Sequence, residues 1–91
     1  MTKEMKRKLL DATQEQYPDV NITAIFGGMY FVKNINDIVN SLPHIVKSAK
    51  FFGWQQSIVS ACNTFCHLCM VDPMLVEAYI GKRFEEIFQG E

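Results

Sequence analysis

From Asn34 to the C-terminus the apolar residues recur at the spacing of one helical face, with breaks at Ser41–Pro43, at Gly53 and at Asp72-Pro73. The period-two alternation of a half-buried strand is missing there, so the chain is expected to fold mostly as helices. Asn34 or Asn36 can cap a helix over residues 35–42, with Ile35, Ile38, Val39 and Leu42 on one stripe. Ser41, followed by Pro43, opens another short helix that runs to Phe51. Residues 54–70 read as a longer helix with Trp54, Ile58, Ala61, Cys62, Phe65 and Cys69 along one side. Asp72-Pro73 is an N-cap with proline at the first helical position. In the helix it starts, Val76, Ile80, Phe84, Ile87 and Phe88 form the buried face, while Glu77, Lys82, Glu85, Glu86 and Gln89 face water.

The N-terminal third is less uniform. Residues 2–16 form an amphipathic helix with Met5, Leu9, Ala12 and Thr13 on its apolar stripe, stopped by Tyr17-Pro18-Asp19. Residues 21–33 look different: β-branched and aromatic side chains flank Gly27-Gly28, a pair suited to a two-residue turn at positive φ. The expectation is a β-hairpin with Phe26 opposite Met29 and Ile25 opposite Tyr30, covered by helices; its rival is a buried helix kinked at the glycines. The fold class that follows is mostly α (α+β). It is a compact helical domain of four to five helices with one small β-hairpin near residues 21–33, and residues 1–91 form a single domain.

Hydrophobic residues make up 48% of the chain and charged ones 21%, the balance of an ordinary globular domain. Nine basic against ten acidic groups give a net charge of −1, which argues against a generally basic nucleic-acid coat but leaves room for a local basic face. The basic N-terminus is followed by no apolar signal-peptide core. Residues 51–71 lack formal charge, yet Gln55, Gln56, Ser57, Ser60, Asn63, Thr64 and His67 make them too polar for lipid, so no membrane partner is expected. Three cysteines within eight residues do not make a disulfide framework and point to a reducing, cytoplasmic setting.

The spacing Cys62-x3-Cys66-x2-Cys69 resembles the iron–sulfur loop of radical S-adenosylmethionine enzymes, with His67 as an extra ligand. The spacing i, i+4, i+7 also places all three sulfurs on one helix face, where unligated cysteines pack as small hydrophobes. The core reading is preferred, and no metal or cofactor is expected. His44 and His67 have no nucleophile arranged beside them, and Glu85 and Glu86 lie on a solvated face. Gly27-Gly28 lacks the spacing and the lysine of a phosphate loop. Nothing in the sequence argues for an enzyme.

Residues 46–62 follow the grammar of a helix-turn-helix. Ala49 allows close approach of a second helix, Gly53 sits in the turn, and Val59 and Cys62 pack that helix back onto the first. Gln55, Gln56, Ser57 and Ser60 would point outward from its first turns, and Gln and Ser can read base edges. Through Lys47-x-Ala49-Lys50-x-x-Gly53 and Gln56-Ser57-x-Val59 the segment resembles the helix-turn-helix of phage Cro and repressor proteins. It departs from them at Ser48, where they place an aliphatic, and in the absence of their C-terminal strands. The resemblance implies a dimeric DNA-binding transcriptional regulator, with Lys47, Lys50, Gln55, Gln56, Ser57 and Ser60 as the nucleic-acid-binding residues. The alternative from composition is a small protein-binding inhibitor or adaptor that masks a partner's surface without nucleic acid. The wealth of aromatic and aliphatic residues also predicts a symmetric homodimer.

Overall fold

Among the described residues, five of the six α-helices begin at a residue whose own side chain accepts one of the free N–H groups of the first turn. Thr2 Oγ1 accepts from Met5 N at 3.2 Å to start α1 (Lys3–Gln16), and Asn21 Oδ1 from Ala24 N at 3.1 Å to start α2 (Ile22–Phe26). Asn34 caps α3 (Ile35–Phe51) through Asp37 N, Ser57 caps α4 (Ile58–Leu68) through Ser60 N, and Asp72 caps α5 (Pro73–Ile80) through Met74 N. The sixth, α6 (Phe84–Ile87), has no cap of its own; Glu77 of α5 reaches across to accept from Phe84 N at 2.9 Å. The computed structural model describes residues 2–89; Met1, Gly90 and Glu91 of the expected domain lie outside the described residues.

The expected β-hairpin is not formed, and no strand occurs among the described residues. α2 instead runs on into a 3₁₀ turn over Gly27–Phe31. The deciding pattern is Ile22, Ile25, Phe26 and Met29, spaced i, i+3, i+4, i+7 and all buried. Strand-forming composition is a weaker constraint than burial on one helical face. Gly27 has right-handed helical angles (φ −58°, ψ −21°), and Gly28 is not at positive φ either. Gln14 holds the entry: its Nε2 donates to the carbonyls of Tyr17 and Val20, and its Oε1 accepts from Ile22 N.

Other boundaries also shift. The two short helices expected on either side of Pro43 are one helix, α3, with Pro43 inside it. An interior proline removes a backbone bond and typically costs about 3 kcal/mol. Here Ile38, Leu42, Ile45, Val46 and Ala49 form one buried face on both sides of it, which offsets that cost. The single C-terminal helix is two, parted at Gly81, which takes the left-handed conformation at φ +83°. In α1 the buried residue is Leu10, whereas Met5 and Ala12 are exposed.

The core gathers Phe26, Ile38, Ile45, Phe65, Val76 and Phe84 around the α3–α4 contact. The radius of gyration, 12.2 Å, is that of a compact chain of this length, but the shape is flat, 32 × 28 × 16 Å. A 16 Å extent is about two packed helices deep, so each helix keeps one side toward solvent. Among the described residues no single helix is long and apolar enough to cross a membrane.

Candidate interaction surface

The end of α3 is closed by a left-handed glycine. Trp54 N donates to Ala49 O at 2.8 Å and Gly53 N to Lys50 O at 3.4 Å, with Gly53 at φ +76°. This is the hydrogen-bond pattern of a Schellman cap, in which glycine avoids the clash that a Cβ brings. The reversal sends Trp54 inward, where its ring lies 4.9 Å from Tyr17 and 5.4 Å, edge-on, from Phe26. Residues 52–57 separate α3 from α4, so the second helix starts at Ile58 rather than at Trp54.

This displacement divides the six sequence-derived site residues. Gln55 and Gln56 are exposed but precede α4, outside the first helical turns where the sequence placed them. Ser57 is the N-cap of α4. Ser60 Oγ donates to Ser57 O at 2.7 Å and accepts from the Trp54 indole Nε1 at 3.1 Å. Both serines therefore hold the loop in place. Lys47 and Lys50 are exposed on α3.

In the sequence Phe51 marks only the expected end of a helix, and nothing there singles out Phe52. Phe51 is 81% exposed and Phe52 38% exposed, with ring centroids 4.9 Å apart and planes at 79°. Lys47, Lys50 and Phe51 stand at i, i+3 and i+4, so they share one face of the last turns of α3. At this turn Trp54 is buried, while Phe51 and, to a lesser extent, Phe52 stay exposed. What remains outside is an aromatic ledge with Lys47 and Lys50 on the Phe51 face of α3, followed in the loop by exposed Gln55 and Gln56.

Cys62 and Cys66 are fully buried and Cys69 half-buried, all three as free thiols. Burial pushes the Cys62 thiol up to about 12, a backbone hydrogen bond acting the other way. Burial likewise raises Cys66 to about 12, reinforced by Cys62 and Cys69. Cys69 rises to about 11, again by burial, with the Lys6 ammonium opposing it. Such thiols are poor nucleophiles at neutral pH, since attack needs the thiolate. Among the described residues no three His, Cys, Asp or Glu side chains converge on a metal-sized site. The surface depressions are open grooves, one between Arg7, Asp11, Tyr30 and Phe31, another between Ser57, Ile58, Arg83, Glu86 and Phe88.

Compared with protein-family models, curated proteins and solved structures, the chain matches none.

Proposed function

We propose that this chain is a small non-enzymatic protein-binding module, acting in the cytoplasm, that holds an apolar segment of a partner on the Phe51–Phe52 ledge. The observation that carries this reading is Phe51, a large aromatic left 81% exposed at the end of a well-anchored helix. Covering such a side chain is worth about 1.5–3 kcal/mol, and aromatic anchors of this kind dominate protein interfaces. Lys47 and Lys50 beside it favour a partner segment that carries carboxylates next to its apolar residue.

DNA binding is the second reading, and one observation favours it: Lys47, Lys50, Gln55 and Gln56 all face solvent at the same end of α3. Affinity capture from native lysate, with nuclease-treated and untreated halves compared, separates the two. Protein binding predicts a partner that survives nuclease and is lost on Phe51→Ser. Retention on immobilised DNA that falls steeply with salt, drops on Lys47→Ala and ignores Phe51→Ser would establish the DNA reading instead.

A further inference from the structure

We propose that the outward face of α5 is a self-association surface, on which a second copy of this chain docks antiparallel about a two-fold axis. α5 is apolar on both sides. Val76 is fully buried on the inner side, while Met74, Leu75, Ala78 and Tyr79 face solvent on the outer one. A surface helix ordinarily carries charged residues outward, and a contiguous apolar face left in water marks a contact site.

Two observations identify the occupant as another copy. The first is the placement of charge at the ends of the helix. Asp72 stands exposed at its N-terminus and Lys82 exposed just past its C-terminus. Their midpoint, position 77, falls beside the centre of the four solvent-facing residues. An antiparallel pair therefore sets Asp72 of each copy near Lys82 of the other and opposes the two helix dipoles. A parallel pair would set like charges together.

The second observation is Met70, in the turn leading into α5. It closes α4 by the same cap that Gly53 gives α3, with Met70 N on His67 O and Val71 N on Cys66 O, both at 3.0 Å. Among the described residues the left-handed positions are Gly53, Gly81 and Met70, the last at φ +60°. A methionine there is strained, and at 65% exposure it gains little burial within one copy to offset the strain. Burial against a second copy supplies the missing compensation.

This face is distinct from the Phe51–Phe52 ledge, so the inference does not rest on the function proposed above. Tyr79 OH donates to Asn36 Oδ1 at 3.5 Å, near the start of α3. Phe51 ends that helix fifteen residues later, about 22 Å along its axis. A dimer built on α5 leaves both ledges free.

Sedimentation velocity on the full chain, from about 10 µM to about 1 mM, tests the proposal. The expected result is a monomer–dimer equilibrium in that range. Leu75→Glu should weaken it roughly 30-fold or more, without altering the circular dichroism of the dilute protein. Lys82→Glu should weaken it about fivefold, and Asp72→Asn, which keeps a competent helix cap, should restore part of that loss in the double variant. Met70→Gly should raise the melting temperature of the monomer while weakening the dimer. A wild-type chain that stays monomeric at every concentration overturns the proposal. So does a dimer indifferent to Leu75→Glu, or a monomer that instead cosediments with lipid vesicles through this face.

Discussion

The indole Nε1 of Trp54 donates to Ser60 Oγ at 3.1 Å, and the same N–H lies 3.1 Å from Ser57 O. A buried indole without an acceptor is costly, and these two oxygens satisfy it from the first turn of α4. Ser60 therefore helps to fix the only tryptophan of the chain at the junction of α3, α4 and the α1–α2 loop. Ser60→Ala is expected to lower stability by about 1 kcal/mol, because Ser57 O remains as an acceptor. Trp54→Ala, which also empties the space against Tyr17 and Phe26, is expected to cost about 3–5 kcal/mol. Urea unfolding of the two variants checks both values. A Ser60→Ala protein as stable as wild type would remove this serine from the scaffold.

Gly28→Ala should stabilise the chain. Gly28 is not at positive φ, and a Cβ built on it meets nothing within 4 Å. Gly27→Ala meets only Thr23 Cγ2 at 3.9 Å, an ordinary contact. Each change should add about 0.4–1 kcal/mol by raising helix propensity and reducing the freedom of the unfolded chain. A hairpin turn at these glycines would give the opposite sign, so thermal unfolding of either variant separates the two backbones.

Residues 21–33 carry two competing local signals. The spacing of Ile22, Ile25, Phe26 and Met29 is that of a helix, whereas Gly-Gly beside β-branched residues is that of a turn at positive φ, and burial of the helical face decides between them. The helix start at Asp72 is legible because side-chain capping is local chemistry, and of the two candidate caps Asn34 and Asn36 the structure uses Asn34. The unbroken course of α3 through Pro43 is not legible, since it depends on burial against α4 and α2 that no local rule contains. At the site, Lys47, Lys50, Gln55 and Gln56 are exposed, as the helix-turn-helix resemblance implies, but Gln55 and Gln56 lie in the loop before α4 and not on its first turns. Phe51 was missed because its exposure follows from the inward turn of Trp54, a tertiary choice between neighbouring aromatics.

The cysteines should make stability fall in alkali. In the folded chain Cys62 and Cys66 titrate near 12, against 9.0 for an ordinary thiol. Below pH 9 both states keep these protons, and the thiols contribute no pH dependence. Between about 9 and 12 the unfolded chain releases protons that the folded chain retains, so stability drops as pH rises through that window. Cys66→Ala should flatten the decline while costing about 1 kcal/mol at neutral pH through the small cavity it leaves. Denaturant midpoints measured from pH 8 upward read both effects. Alkylation at neutral pH should reach half-buried Cys69 first, and Cys62 and Cys66 only on unfolding.

Gly53→Ala isolates the cost of a left-handed backbone. At φ +76° a Cβ is strained by its own chain, yet nothing else lies within 4 Å of where it would sit. The penalty is therefore conformational rather than steric packing against a neighbour, and about 1–2 kcal/mol is expected. Gly53→Asn should cost less, because asparagine tolerates that region better than alanine. The ordering Gly, Asn, Ala in denaturant midpoint is the signature to look for, with the three proteins otherwise alike in circular dichroism. Equal midpoints would mean that the backbone at residue 53 is not left-handed. The consequence reaches the surface as well, since this one residue turns Trp54 into the core and leaves Phe51 outside. If alanine relaxes the turn, tryptophan fluorescence should shift to the red as the indole gains water, and binding at the Phe51–Phe52 ledge should weaken in parallel.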